Sequence, residues 1–129
     1  MEREEIVSPE LAPPNGNFAQ AIKVTNPAGF VFVSGMTARN KEGGVTGIGD
    51  VVAQTHQVCQ NIKAALEEAG AEMANVARVD VYVRNMEDFK ATHEVRQQYF
   101  PNNPASTMVE VSKFVNKDYL IEINAIAAL

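Results

Sequence analysis

The segment from Val51 to Ala69 constrains the fold of this chain more than any other part of the sequence. It carries a stripe of apolar or small residues at the spacing of one helix face: Val51, Thr55, Val58, Ile62, Ala65 and Ala69. Such a stripe predicts a long amphipathic helix that buries one side against another element. Asp50 is suited to cap the N-terminus of this helix, and Gly70 is placed to end it.

The runs on either side of this helix favour strands. β-Branched, aromatic or alternating apolar residues mark residues 20–24, 30–33, 79–83, 106–114 and 119–127. The first two runs are joined at residues 26–29 and predict a hairpin. A second helix is expected over residues 87–100, ended by Pro101. This order predicts an α+β fold, with one sheet covered on one face by two helices.

Composition limits the class of protein. The 129 residues fit one domain, 1–129, and the formal net charge of -5 argues against a surface that binds nucleic acid. No apolar run approaches the roughly 18 residues that would indicate a membrane span, and the acidic N-terminus is unlike a secretory signal. The single cysteine, Cys59, cannot form an internal disulfide. We therefore expect a cytoplasmic protein without a membrane or nucleic acid partner.

One face of the last two predicted strands has a mixed composition. Met108, Leu120 and Ile126 alternate there with polar residues. Such a face is too apolar for open water and too polar for the core of a monomer. It predicts that the sheet contacts another subunit in a homo-oligomer.

Six segments resemble, in order and over nearly the whole chain, the Rid (YjgF) family of enamine/imine deaminases. They are residues 16–22 (GNFAQAI), 30–35 (FVFVSG), 54–66 (Gln54 with Asn61, Ile62 and Leu66), 81–89 (VYV to DF), 104–111 (PASTMVEV) and 121–127 (IEINAIA). The resemblance implies a chorismate-mutase-like α+β fold. It also implies a homotrimer with a small-molecule substrate in the clefts between subunits, and no metal or organic cofactor.

The resemblance carries over to individual site residues. Glu122 occupies the position of the glutamate that holds the attacking water, which implies a catalytic role. The residues predicted to bind substrate are Phe18, Ser34, Gly35, Phe89, Ser106, Thr107 and Met108.

Three of these positions depart from the family pattern. Deaminating members have an arginine where this chain has Ser106, and its guanidinium binds the substrate carboxylate. Met108 stands where a cysteine is common, and Phe18 replaces a tyrosine. Because serine cannot offer a charged, bidentate fork, we expect weak activity on 2-iminopropionate unless another cation replaces the arginine.

Each candidate also has a purely structural interpretation. Glu122 could be an interface glutamate, and Ser106 and Thr107 could be ordinary strand hydroxyls. Arg96 shares one helix face with Phe89 and His93. It could supply the positive charge missing at Ser106, or it could extend along the edge of an apolar stripe.

No metal site is expected. His56 and Cys59 lie one helical turn apart, but two ligands are too few for zinc, and Cys59 is interpreted as a small buried residue. The glycines of residues 43–49 lack the lysine and hydroxyl residue of a phosphate-binding loop.

The sequence thus supports hydrolysis of an enamine or imine with loss of ammonia, with a 2-aminomuconate-type intermediate of aromatic catabolism as one candidate substrate. The alternative is a trimeric protein that binds a metabolite, or regulates, without turnover. Endoribonuclease activity, attached to some relatives, is disfavoured by the acidic charge.

Overall fold

Two helices cover one face of a four-stranded sheet in the computed structural model, which describes residues 1–129. The elements are β1 (Glu2–Ile6), β2 (Ala21–Thr25), β3 (Phe30–Met36), α1 (Val51–Glu68), β4 (Val76–Val83), α2 (Phe89–Arg96), β5 (Ala105–Glu110) and β6 (Ile121–Ala128). Short 3-10 turns, Met73–Asn75 and Met86–Asp88, precede β4 and α2. The predicted α+β class is confirmed.

The main sheet has the strand order β3-β6-β4-β5. β4 and β5 run parallel and are connected through α2, whereas β6 is antiparallel to both of its neighbours. Val79 of β4 pairs with Ser106, and Tyr82 pairs with Glu122. Directly paired residues point to the same side of a sheet, so these registers define two faces. We call them the helix face, which carries Val79 and Ser106, and the open face, which carries Tyr82 and Glu122.

The hydrophobic core fills the space between α1 and the helix face. Val58, Cys59, Ile62 and Leu66 of α1 are completely buried, together with the inward-facing valines of β4 and with Ile121 and Ile123 of β6. Thr55, Val58 and Ile62 of the predicted stripe are buried, whereas Ala69 at its end is exposed. As expected, Asp50 caps the helix by accepting a hydrogen bond from the Ala53 amide at 3.1 Å. Gly70 follows the helix with a φ of +80°, a conformation that glycine adopts without strain.

The predicted hairpin between residues 20–24 and 30–33 is wrong. β2 pairs instead with β1, from Glu2↔Thr25 to Ile6↔Ala21, in a separate two-stranded sheet. The strands therefore form two sheets rather than the single one expected. β1 was missed because its sequence, EREEI, is mostly charged and lacks the apolar alternation of a half-buried strand.

Two elements are also shorter than predicted. α2 ends at Arg96, because the amides of Tyr99 and Phe100 both turn back to the Arg96 carbonyl. β5 ends at Glu110, where the chain leaves the edge of the sheet.

Met108 does not lie on the mixed face to which the sequence assigned it. It pairs with the buried Val81, so it lies on the helix face, and Thr107 and Val109 lie on the open face. The β-branched residues of β5 suggested the opposite orientation. The open face nevertheless has the expected mixed character, because Phe30 and Phe32 on β3 are 54% and 75% exposed.

The side chain of Gln54 connects α1 to two loops inside the protein. It is completely buried, and its Nε2 donates to the carbonyls of Gly47 (3.1 Å) and Asp118 (2.8 Å). Its Oε1 accepts from the amide of Leu120 at 2.8 Å, just before β6 begins. One amide side chain therefore satisfies three backbone groups.

We predict that Gln54→Leu lowers the free energy of unfolding by about 3 kcal/mol, because three buried backbone groups lose their partner. Urea denaturation followed by circular dichroism measures the change. Gln60→Leu, on the exposed side of α1, is the matched control and should change the stability by less than about 0.5 kcal/mol. Equal stability of the two variants would contradict the role assigned to Gln54.

Candidate functional site

A cavity of about 260 Å³ lies between α2, β5 and the loop of residues 15–18. The spacing of Phe89, His93 and Arg96 places these three side chains on the side of α2 that faces the cavity. β5 contributes Ser106 and Met108, which are two residues apart and therefore on the same face. The complete lining is Asn15, Gly16, Asn17, Phe18, Phe89, His93, Arg96, Ser106 and Met108.

The guanidinium of Arg96 is buried in the wall of this cavity. The residue is 7% exposed, and its Nη2 donates to the Ser106 hydroxyl at 3.4 Å. Its Nη1 lies 3.9 Å from the Met108 sulfur, and its Nε has no acceptor. Burial lowers the pKa of Arg96, yet an arginine keeps its charge in a protein. No carboxylate forms an ion pair with this group.

His93 lies beside Arg96 and covers part of the cavity. Its ring stacks on Phe89, with centroids 5.6 Å apart and planes 6° from parallel. Burial, and then the charge of Arg96, lower the pKa of His93. The imidazole is therefore neutral at neutral pH, and the lining carries one positive charge.

Cys59 lies under the site but is not part of its chemistry. The thiol is completely buried, as expected, and burial raises its pKa to about 12, with the nearby Arg96 acting weakly in the opposite direction. A thiol in this state is a poor nucleophile. His56 is hydrogen-bonded to the Tyr99 hydroxyl at 2.8 Å through Nδ1. The chain contains no group of three or more His, Cys, Asp or Glu side chains that could hold a metal ion.

Glu122 lies on the open face, half-buried, next to Ser34 and Gly35. The pairing of β3 with β6 shifts between Val33 and Met36, so these two residues form an irregularity in the strand. A Cβ atom built on Gly35 would lie 2.9 Å from Cδ of Glu122 and still closer to one carboxylate oxygen. Glycine therefore leaves room for the carboxylate, which has no ion-pair partner in the chain.

Thr107 belongs to a polar network on the open face. Its hydroxyl accepts a hydrogen bond from Nη2 of Arg78 at 2.9 Å, and the same nitrogen contacts Asp80 at 2.8 Å. Asn124 donates to the second oxygen of Asp80 at 3.0 Å. Adjacent residues of a strand point to opposite faces, so Thr107 cannot act with Ser106 on one small ligand within this chain.

The residues predicted to form the site therefore fall into two groups. The cavity brings together Phe18, Phe89, Arg96, Ser106 and Met108. The open face holds Ser34, Gly35, Thr107 and Glu122. Nothing in the sequence indicated Asn15 and Asn17 as lining residues, because loop asparagines are common in turns. His93 could have been predicted from the sequence, because it shares a helix face with Arg96.

We predict that the pKa of His93 lies below the ordinary value for histidine and rises in Arg96→Met. The charge of the guanidinium disfavours the imidazolium, and its removal leaves burial, which lowers the pKa of His93, and the charge of Glu94, which raises it. The pH titration of the His93 Cε1 proton by NMR measures both values. His56, whose ring is bonded to Tyr99, serves as the internal control, and an unchanged His93 pKa would contradict the proposed proximity.

Comparison with known proteins relates this geometry to a family. The model of the family described as Endoribonuclease L-PSP matches residues 9–129. A RutC family protein of Pyrococcus abyssi is 45% identical over 126 residues, covering 96% of each chain. A 3-aminoacrylate deaminase RutC of Acinetobacter baylyi is 34% identical, covering 96% of this chain and 97% of its own. A 2-iminobutanoate/2-iminopropanoate deaminase of Dermatophagoides farinae is 32% identical, covering 100% of this chain and 99% of its own.

The solved structures agree with the sequence comparisons. A Rid family protein of unknown function from Yersinia pestis, YyfB, superimposes with a TM-score of 0.89 at 30% identity, and all of both chains is covered. The fold, the family model over residues 9–129 and the relatives all indicate the same family. The chain belongs to the Rid family, to which RutC and the L-PSP proteins also belong.

Proposed function

We propose that this protein is a deaminase that hydrolyses a small enamine or imine and releases ammonia without a cofactor. The observation that carries this proposal is the carboxylate of Glu122, which is half-buried, free of ion pairs and packed against Gly35. Such a carboxylate can accept and return a proton. Two relatives that match nearly the whole chain are named as deaminases of this kind.

The chemistry needs one base that acts twice. A proton from solvent first adds to the enamine carbon and gives the protonated imine, an iminium ion. Glu122 then accepts a proton from water as the oxygen attacks the imine carbon, which forms a carbinolamine. Glu122 returns that proton to the nitrogen, the C–N bond breaks as the hydroxyl loses its proton to solvent, and the products are a carbonyl compound and ammonia.

We also propose that the site is completed in a homotrimer. Glu122 and the cavity beside Arg96 lie on opposite faces of one sheet, so one small molecule cannot contact both within a single chain. A second copy that packs its open face against the β5 edge of the first would bring its own Glu122 to the cavity and would cover its own Phe30 and Phe32. The site would then lie in the cleft between subunits.

Other functions receive less support. A binding or regulatory protein without turnover is favoured by Ser106, which replaces the arginine of deaminating relatives. The family model carries the name of an endoribonuclease, but a chain with a net charge of -5 is poorly suited to bind RNA. A 2-aminomuconate-type compound of aromatic catabolism remains a candidate substrate. The single cysteine is a buried free thiol, which suits a protein of the reducing cytoplasm.

We predict that Glu122→Gln lowers the turnover of an enamine or imine substrate by about 100-fold or more, because an amide cannot accept the proton. Ammonia release in a coupled assay measures this loss. Gly35→Ala should also reduce turnover, since the new methyl group displaces the carboxylate. Glu68→Gln, at an exposed position of α1, is the control for the loss of a carboxylate.

Unchanged turnover in Glu122→Gln would exclude this residue as the base. Absence of turnover in the wild-type protein with the substrates of both named relatives would favour the binding protein instead.

We predict a particle of about 42 kDa in sedimentation equilibrium, three times the 14.0 kDa chain. Phe32→Asp should dissociate it, because an interface would have to bury an unpaired charge. Val115→Asp is the matched control, since Val115 is 98% exposed in the loop before β6. A monomeric wild-type protein would contradict the proposal that the site lies between subunits.

A further inference from the structure

We propose that Arg96 of α2 binds the carboxylate group of the substrate inside the cavity. The substrate would then be a small organic acid, held by a residue of the helix rather than by one of strand β5. This inference rests on the proposed function, because it concerns the ligand of the same site.

The first reason is the state of the Arg96 charge. A buried guanidinium is normally paired with a carboxylate, since removing a charge from water is costly. Arg96 is 7% exposed, but its partners in the chain are a hydroxyl and a sulfur atom, and its Nε is unpaired. Buried polar groups without partners are rare in folded proteins. An anionic ligand in the cavity would supply the missing acceptor.

The second reason is the arrangement of donors around the cavity. Nη2 of Arg96 and the Ser106 hydroxyl are 3.4 Å apart, a long contact for a hydrogen bond, and both groups line the same space. The hydroxyl can rotate its proton away from Arg96 and toward a ligand. A carboxylate has two oxygens and can accept from both donors at once.

The third reason is the composition of the remaining lining. Phe18, Phe89 and Met108 provide an apolar surface, and the asparagines of the loop are uncharged. With His93 neutral, the cavity has one positive charge, which matches one carboxylate. Its volume of about 260 Å³ is below the range of pockets for drug-sized ligands, so the acid should be small.

Benzoate and benzamide are the probes for this proposal, because they have the same shape but differ in charge. Neither compound is an enamine or imine, so neither is a substrate for the proposed reaction. Isothermal titration calorimetry on the trimer should show that benzoate binds more tightly than benzamide. Arg96→Met should weaken benzoate binding by about 10- to 100-fold and leave benzamide binding nearly unchanged. Lys90→Met, which removes a charge from the exposed side of α2, should change neither.

A relocated charge provides a gain-of-binding test. Arg96→Tyr combined with Ser106→Arg moves the guanidinium from the helix to the strand and should restore benzoate binding that Arg96→Tyr alone removes. If the variants do not fold, the Arg96 Nε–H signal of the ¹⁵N-labelled wild-type protein should shift with benzoate and not with benzamide.

The outcomes separate this proposal from the proposed function. Benzoate binding that depends on Arg96, in a protein without deaminase turnover, supports the anion site and removes only the enzymatic role. Deaminase turnover of an acidic substrate that is unchanged in Arg96→Met overturns the anion site. Equal binding of benzoate and benzamide, or equal losses in Arg96→Met and Lys90→Met, also overturns it.

Discussion

The two-residue period of β5 and β6 decides on which face of the sheet Ser106, Met108 and Glu122 lie. The pairing of Val79 with Ser106 directs Ser106 and Met108 toward the helices, and the pairing of Tyr82 with Glu122 directs the carboxylate away from them. A shift of β5 by one residue would turn Ser106 and Met108 to the other face, and a shift of β6 would turn Glu122 and also expose the apolar side of that strand. The core that fixes the register therefore also fixes the separation between the carboxylate and the cavity.

The buried charge of Arg96 has a cost that the fold alone does not offset. Replacing a buried charged group by apolar residues of similar size is often neutral or stabilising. Met108 and Phe89 already line the space around Arg96, and nothing in the packing requires a guanidinium there. An arginine in this position is most simply explained by a ligand that carries the opposite charge. The guanidinium of Arg96 would also supply the positive charge that a serine at position 106 lacks.

The sequence predicted the local features well, because they depend on neighbours within one helix turn or one strand. The stripe of α1, its Asp50 cap and the stop at Gly70 all follow from short-range spacing. Resemblance of motifs indicated the family, and the helix spacing of α2 indicated Arg96 as a candidate.

The sequence did not separate the two groups of site residues, since the face on which a strand residue lies depends on its register with strands distant in the sequence. The same reason explains the errors at Met108 and in the pairing of β2. Nothing in the charged run EREEI indicates that it is the partner of β2.

The central claim is that one site combines Arg96 of one subunit with Glu122 of another. A crystal structure of the protein with benzoate bound tests this claim most directly. We expect a trimer in which the benzoate carboxylate contacts the Arg96 guanidinium and the Ser106 hydroxyl, with Gly35 and Glu122 of a second subunit on the other side of the ring. Benzoate bound away from Arg96, or an Arg96 cavity that no Glu122 of a second subunit approaches, would contradict it.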